Sequence, residues 1–148
     1  MSAPTRTDTG VVVRQRVHLD DLDGYGMLYH ARFATFFDNA VQDFWYDAGW
    51  RVDPAKSVLV IRDLQLTYHQ PVIGIGDVDV HFWVERAGTT SVTYRFEVLS
   101  TDRTVVHADG HRVVVFLDGQ TLRPTPIPED IWEKAGPLLG PDVQRPAA

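Results

Sequence analysis

Residues 33–49, FATFFDNAVQDFWYDAG, decide the fold of this chain. Apolar residues recur in this stretch at the i, i+3, i+4 spacing of an amphipathic helix, and Gly49 supplies the stop signal. The apolar positions are Phe33, Phe36, Phe37, Ala40, Val41, Phe44, Trp45 and Ala48. A helix face this wide and aromatic needs a sheet wrapped around it, because a narrow contact would leave phenylalanine rings in water.

The chain on both sides of this helix carries the period-two pattern of β-strands. Apolar and polar side chains alternate over residues 78–84 and 92–98, and a turn at Ala87-Gly88 separates the two runs. Further strands are predicted at 11–17, 58–68 and 105–117. One long helix and about five antiparallel strands make an α+β domain, with a short amphipathic stretch near its end.

The composition narrows the functional classes. The 148 residues include no cysteine, which excludes disulfides, thiolate nucleophiles and cysteine-ligated metal sites. The 14 Lys and Arg residues against 20 Asp and Glu residues give a formal net charge of -6, which argues against a nucleic-acid partner. The sequence has no apolar run long enough for a membrane span and no signal-peptide pattern. We therefore expect a soluble, cytoplasmic protein.

Several well-known motifs are incomplete. The segments 24–26 and 74–76 begin a dinucleotide-binding G-x-G-x-x-G, but the third glycine is missing from both. The sequence contains neither G-x-S-x-G nor a Walker lysine motif. The segment that starts at Asp21 imitates an EF-hand, yet Tyr25 and Arg32 occupy two of its ligand positions. We therefore expect no metal and no separate cofactor.

A different candidate remains at the junction between the loop 20–26 and the helix. Gly24 and Gly26 allow a tight turn beside Asp23, and the predicted helix begins near His30 with its unpaired N–H groups facing the same space. Acyl transfer requires such a pair, because the donors hold an oxyanion while the carboxylate attacks or activates water. A purely structural interpretation is also open, in which Asp23 only caps a turn and His30 is a solvated residue without a role in catalysis.

Three segments around this junction resemble the signature of a known family. Residues 21–26 (DLDGYG), 28–33 (LYHARF) and 37–40 (FDNA) are similar to the D-x-D-x-x-G, V-Y-H-A-x-Y and F-E-x-A motifs of 4-hydroxybenzoyl-CoA thioesterase-like proteins. These are hotdog-fold acyl-CoA thioesterases, in which a sheet wraps one long helix. The resemblance implies a single hotdog domain over residues 1–148, with flexible ends at about 1–9 and 140–148.

The resemblance also implies roles for individual residues. Asp23 matches the catalytic carboxylate, and His30 matches the helix-start residue whose backbone N–H polarises the thioester carbonyl. Asp38 is shorter than the glutamate of the family pattern, which weakens it as a second base. Arg86 is the candidate by position for the phosphates of coenzyme A. The expected substrate-binding residues are Gly26, Tyr29, Ala31, Phe33, Asp38, Arg86, Thr89, Thr90 and Ser91.

The predicted function is hydrolysis of an acyl or aryl thioester to a free acid, with Asp23 as base or nucleophile. The substrate is an acyl-CoA or an acyl carrier protein thioester, so that coenzyme A is part of the substrate. Two alternatives stay open, namely a hotdog hydratase or dehydratase that uses His30 and Asp38, and a non-catalytic acyl-binding protein. Because hotdog relatives form their site between two protomers, we expect a homodimer or homotetramer.

Overall fold

Six antiparallel strands form a sheet that carries the long helix on its inner face. The computed structural model describes residues 4–147; of the ends expected to be flexible, residues 1–3 and 148 lie outside this range. The strands are β1 (Thr5–Arg6), β2 (Val11–Val17), β3 (Ser57–Tyr68), β4 (Gly76–Ala87), β5 (Ser91–Leu99) and β6 (Val106–Asp118). The helices are α1 (Arg32–Asp47) and α2 (Glu129–Lys134). Neighbouring strands follow the order β1-β2-β4-β5-β6-β3.

The expected count of five strands was wrong. The sixth strand is β1, whose residues 5–6 pair with residues 11–12 of β2. A strand of two residues is too short to show a period-two pattern, so the sequence carried no signal for it. Helix α1 begins at Arg32, two residues after the expected start near His30, because a turn closed by the Arg32 N–H on the Tyr29 carbonyl precedes it.

The aromatic face of α1 is buried against the sheet. The ring of Phe37 is fully buried, stacks on Phe96 of β5 with centroids 4.1 Å apart, and meets Phe82 of β4 edge-on at 5.8 Å. Farther along the helix, the Trp45 indole N–H donates to the Tyr94 hydroxyl at 3.2 Å. Burial of each large apolar side chain contributes roughly 1.5–3 kcal/mol. These contacts fix the position of the helix across the sheet.

Strand β3 lies at an edge of the sheet, and its inner face is uncovered. It pairs with β6 on one side and has no neighbour on the other side within residues 4–147. The register places Leu59, Ile61 and Leu64 on the inner face, yet these side chains remain 42% to 51% exposed. A long apolar edge strand of this kind has the properties of an interaction surface.

The C-terminal segment covers the other end of the core. Leu138 is completely buried in a 3-10 turn that follows α2. The Gly140 N–H donates to the Val84 carbonyl at 2.9 Å, and Arg145 forms an ion pair with Glu129 of α2. Within the described residues, no helix combines the length and the apolar character needed to cross a membrane.

Gly110 of β6 lies where the backbone of β3 approaches very closely. A Cβ atom there would lie 1.9 Å from the Gln65 carbonyl oxygen and 3.2 Å from the Phe96 ring. We expect Gly110→Ala to lower the free energy of unfolding by roughly 1–3 kcal/mol, because the paired backbone of β3 must move. Urea denaturation measures this loss. Gly136→Ala is the control, since a Cβ there meets nothing within 4 Å, and an equal loss in both variants would contradict the explanation.

Candidate active site

The Asp23 carboxylate is fixed by the backbone of its own loop. Its Oδ1 accepts hydrogen bonds from the Tyr25 N–H at 2.8 Å and the Met27 N–H at 3.2 Å. The Asp23 N–H in turn donates to the Met27 carbonyl at 2.8 Å. Gly26 has a φ of +76°, a conformation that favours a residue without a side chain. Oδ2 receives no hydrogen bond from residues 4–147, so one carboxylate oxygen is left for a ligand.

This loop is attached to the end of the sheet. The Gly74 N–H donates to the Gly26 carbonyl at 2.9 Å, and the Leu28 N–H donates to the Val72 carbonyl at 2.8 Å. Residues 26–28 follow β2, and residues 72–74 precede β4, so these hydrogen bonds lie at the end of the sheet where β2 ends and β4 begins. The rigid sheet therefore sets the position of Asp23, rather than the loop alone.

Helix α1 has free backbone donors at its N-terminus. The Arg32 N–H donates to the Tyr29 carbonyl at 2.8 Å, and the Phe33 N–H donates to the His30 carbonyl at 3.4 Å. The N–H groups of His30 and Ala31 have no acceptor within the described range 4–147. Free donors at this end of a helix stabilise negative charge, because the helix dipole adds to their own polarity.

Asp23 caps its loop and does not cap the helix. Helix α1 begins nine residues after Asp23, and its N-cap residue Ala31 receives no side-chain hydrogen bond. Both hydrogen bonds of the loop use the same carboxylate oxygen. A neutral amide oxygen would serve as well for such a cap. The two loop hydrogen bonds therefore do not require the negative charge of Asp23.

Tyr68 of β3 holds the first turn of the helix from the other side. Its hydroxyl donates to the His30 carbonyl at 2.9 Å, and its ring meets Phe33 edge-on at 5.2 Å. Burial raises the pKa of the Tyr68 phenol above its usual value, so the hydroxyl stays a donor at neutral pH. Sequence analysis missed this contact, because nothing local links the end of a strand to a helix start 38 residues earlier.

A cavity of about 160 Å³ lies beside the first two turns of α1. Its walls are formed by α1, by the uncovered face of β3 and by β6. The lining residues are Ala34, Thr35, Phe37, Asp38, Ile61, Leu64 and Arg112. Among residues 4–147, no three His, Cys, Asp or Glu side chains lie close enough together to hold a metal ion. Asp38 and Arg112 are the charged residues in the lining of the cavity.

Arg112 is a buried charge at this cavity. The residue is 6% exposed, its guanidinium lies 4.4 Å above the Phe37 ring, and its Nη1 donates to the Asp38 carboxylate. Its Nε is buried without a hydrogen-bond partner among residues 4–147, and an unpaired buried donor costs roughly 1–3 kcal/mol. Sequence analysis missed Arg112, although the alternation of β6 places it on the inner face between Gly110 and Val114.

Comparison with known proteins identifies the family. The sequence pattern of the thioesterase-like superfamily matches residues 17–135, which is most of the chain. The chain belongs to the thioesterase-like superfamily. The matched range contains the Asp23 loop, α1 and all of β3 to β6. A search of curated protein sequences found no match.

Solved structures share the architecture. The PA5185 protein from Pseudomonas aeruginosa has a TM-score of 0.82 and 21% identity, over 95% of this chain and 99% of that chain. A 1,4-dihydroxy-2-naphthoyl-CoA thioesterase from Synechocystis has a TM-score of 0.77 and 16% identity, over 84% of this chain and 93% of that chain. A DHNA-CoA thioesterase from Staphylococcus aureus has a TM-score of 0.74 and 19% identity, over 84% of this chain and 86% of that chain. These similarities confirm the hotdog fold.

One group of expected substrate-binding residues lies at the helix start of this superfamily member. Gly26 is in the loop that contains Asp23, while Tyr29 and Ala31 belong to the turn before α1. Phe33 is 3% exposed and is part of the core as well as a wall beside Tyr68. Asp38 lies farther along α1, where it lines the cavity.

The second group lies at the opposite end of the sheet. Arg86, Thr89, Thr90 and Ser91 surround the turn between β4 and β5, whereas the Asp23 loop contacts the segment before β4. The 12 residues of β4 span roughly 36 Å at about 3.3 Å per residue. A single chain therefore does not bring this group together with Asp23.

The Tyr68 hydrogen bond is tested by Tyr68→Phe, which removes the hydroxyl and keeps the ring. We expect the free energy of unfolding to fall by about 0.5–1.5 kcal/mol, since the His30 carbonyl loses its donor. Chemical denaturation measures the change. Tyr46→Phe is the matched control, because the exposed Tyr46 hydroxyl has no hydrogen-bond partner among residues 4–147. Equal stabilities of the two variants would show that the bond contributes nothing.

Proposed function

We propose that the protein is a thioester hydrolase that converts an acyl-CoA, or the thioester of an acyl carrier protein, to a free acid and a thiol. The observation that carries this proposal is the Asp23 carboxylate, whose Oδ1 is held by two backbone N–H groups while Oδ2 is free. Family membership supports the reaction class. Two of the similar solved structures are CoA thioesterases, which agrees with this reaction class.

The chemistry needs one negative oxygen and one oxyanion site. In the general-base route, Oδ2 of Asp23 takes a proton from water while the water oxygen bonds to the thioester carbonyl carbon. The tetrahedral intermediate then collapses, the C–S bond breaks, and the departing thiolate takes a proton. In the nucleophilic route, the same Asp23 oxygen bonds to the carbonyl carbon, the C–S bond breaks, and the thiolate leaves and takes a proton. Water then hydrolyses the resulting anhydride to the free acid and restores the Asp23 carboxylate.

The oxyanion is assigned to the free donors of the helix start. The N–H groups of His30 and Ala31 have no acceptor within residues 4–147, so a developing negative oxygen gains their hydrogen bonds without displacing others. The exposed His30 side chain packs against Tyr29 with ring centroids 4.4 Å apart. The His30 backbone N–H is assigned to the proposed oxyanion site, and a role of its imidazole in steadying water or the leaving group is a separate proposal.

Asp38 is assigned to substrate binding rather than to catalysis. Its carboxylate is paired with the buried guanidinium of Arg112, which is its one side-chain partner among residues 4–147. The Asp38 carboxylate is therefore already engaged in an ion pair, whereas a hydratase or dehydratase would use it together with His30.

The quaternary proposal is a homodimer that joins the free edges of two β3 strands, and a tetramer formed by two such dimers. A second copy would supply backbone partners for β3 and cover the exposed side chains of Leu59, Ile61 and Leu64. When the two β3 strands pair antiparallel about a two-fold axis, the strands of the second sheet run in the opposite direction to those of the first. The Arg86 turn of the second copy then lies toward the same end of the joined sheet as Asp23.

The catalytic assignment is tested by Asp23→Asn. The amide oxygen keeps both loop hydrogen bonds, so we expect a folded protein whose kcat falls by roughly 10²-fold or more. Release of free CoA from a panel of acyl-CoAs, followed with a thiol reagent, measures the effect. Asp20→Asn is the control, because Asp20 is exposed in the same segment. A variant that keeps more than about a third of wild-type kcat would overturn the role of Asp23.

The dimer is tested by sedimentation equilibrium at micromolar concentration. We expect a species of at least twice the 16.7 kDa chain mass. Leu59→Lys should shift the equilibrium toward monomer, since it puts a charge on the uncovered face of β3. Val52→Lys is the control, because Val52 is 70% exposed outside the sheet. A wild-type protein that sediments only as a monomer would overturn the proposed assembly.

A further inference from the structure

Arg112 leaves one edge of its guanidinium unused. Its Nη1 donates to Oδ1 of Asp38, whereas Nε and Nη2 have no acceptor among residues 4–147. Nε and one terminal nitrogen form the planar edge that binds a carboxylate with two parallel hydrogen bonds. Arg14 shows this use in the same protein, since its Nε and Nη2 donate to the two Asp79 oxygens at 2.9 and 3.4 Å.

The unused edge belongs to a side chain that the protein has taken out of water. The Arg112 side chain is 8% exposed, against 44% for that of Arg14, so solvent replaces few of the missing acceptors. The cavity of about 160 Å³ beside it is lined by apolar residues together with Thr35 and Asp38, and neither of these two accepts a hydrogen bond from Nε or Nη2. Asp38 compensates the charge through Nη1 and does not use the Nε–Nη2 edge, so a ligand reaches the buried Nε only after a small movement of the side chains around it.

We propose that Arg112 is a specificity-determining residue that binds a carboxylate at the far end of the acyl group. The inference rests on the proposed thioester hydrolysis and assigns its substrate class, the CoA monothioester of a dicarboxylic acid. A ligand carboxylate would give the Nε–Nη2 edge the bidentate partner it lacks. A plain alkyl end would leave that edge unpaired, and a buried donor left without a partner discriminates strongly between related substrates.

The position of the cavity sets the length of the acyl group. Asp38 lies six residues beyond the first residue of α1, which is about 9 Å along the axis at ~1.5 Å per residue. The proposed oxyanion donors, the N–H groups of His30 and Ala31, lie directly before that first residue. An extended chain advances about 1.2 Å per bond, so that about seven bonds cover this distance. The suberoyl group, with eight carbons and a carboxylate at each end before thioester formation, has this length.

The experiment compares kcat/KM for suberoyl-CoA and octanoyl-CoA, which have the same chain length and differ in the terminal carboxylate. We expect the wild-type protein to prefer suberoyl-CoA by about 10-fold or more. Arg112→Met should abolish this preference, because the side chain keeps its bulk and loses every donor. Arg112→Lys should retain part of it, since a lysine supplies charge without the bidentate edge. Arg16→Met is the control, because this exposed arginine pairs with Asp77 on the other face of the sheet.

A neutral analogue separates a carboxylate site from a general polar site. 8-Hydroxyoctanoyl-CoA offers a terminal oxygen without charge. We expect its kcat/KM to stay closer to that of octanoyl-CoA than to that of suberoyl-CoA. A hydroxyl analogue that is hydrolysed as well as suberoyl-CoA would overturn the carboxylate assignment.

Binding of free suberate and free octanoate, measured by calorimetry, distinguishes this inference from the proposed function. Suppose that no thioester is hydrolysed, that the wild-type protein binds suberate more tightly than octanoate, and that Arg112→Met does not. The hydrolase proposal then fails and the carboxylate site stands. If octanoyl-CoA and suberoyl-CoA are hydrolysed equally well, the site fails and the hydrolase proposal stands. If Arg112→Met does not fold, the ratio of kcat/KM for suberoyl-CoA to that for octanoyl-CoA, compared between the wild-type protein and Arg112→Lys, tests the carboxylate site instead.

Discussion

The burial of one aromatic helix face is the constraint on which the rest of this structure depends. Phe37 stacks on Phe96 at 4.1 Å at the centre of the contact, and the sheet has to curve around α1 to enclose the remaining rings. The helix therefore crosses the sheet in one direction, with its N-terminus at the end where β2 stops and β4 starts. The connection between β2 and α1 must lie at that end, and it contains Asp23.

Charged groups in this protein differ in how completely they are paired. Asp79 is 1% exposed and receives both Arg14 and Arg103, at 2.9 and 3.3 Å, so its hydrogen-bonding capacity serves the fold. Asp23 and Arg112 each have a structural contact on one side and an unused oxygen or nitrogen edge on the other. A group held rigidly but only half satisfied is suited to bind a ligand, because binding adds hydrogen bonds without breaking existing ones.

The uncovered face of β3 joins the proposed assembly to the proposed acyl site. Ile61 and Leu64 are exposed on the inner face of this edge strand and also line the cavity that contains Arg112. A second chain placed against β3 would enclose the cavity and exclude water from it. Exclusion of water strengthens every electrostatic interaction inside a site, so dimer formation and binding of a charged acyl group would support each other.

The sequence by itself determined the features that depend on neighbouring residues along the chain. The spacing of aromatic residues in 33–49 predicted α1. Alternation predicted β4 and β5, runs bounded by turns predicted β2, β3 and β6, and two glycines beside a carboxylate made the Asp23 loop a candidate site. The family resemblance added the hotdog fold. The two-residue β1 was missed because a strand that short has no period to detect.

Only the tertiary structure decided which of these features meet. It placed β3 at the edge, brought Tyr68 to the His30 carbonyl, paired Arg112 with Asp38, and separated Arg86 from Asp23 by the length of β4. Periodicity reports the face on which a side chain lies, but not the strand or helix opposite that face. The partner of each buried charge is set by strand order and register, which arise from contacts between residues far apart in the chain.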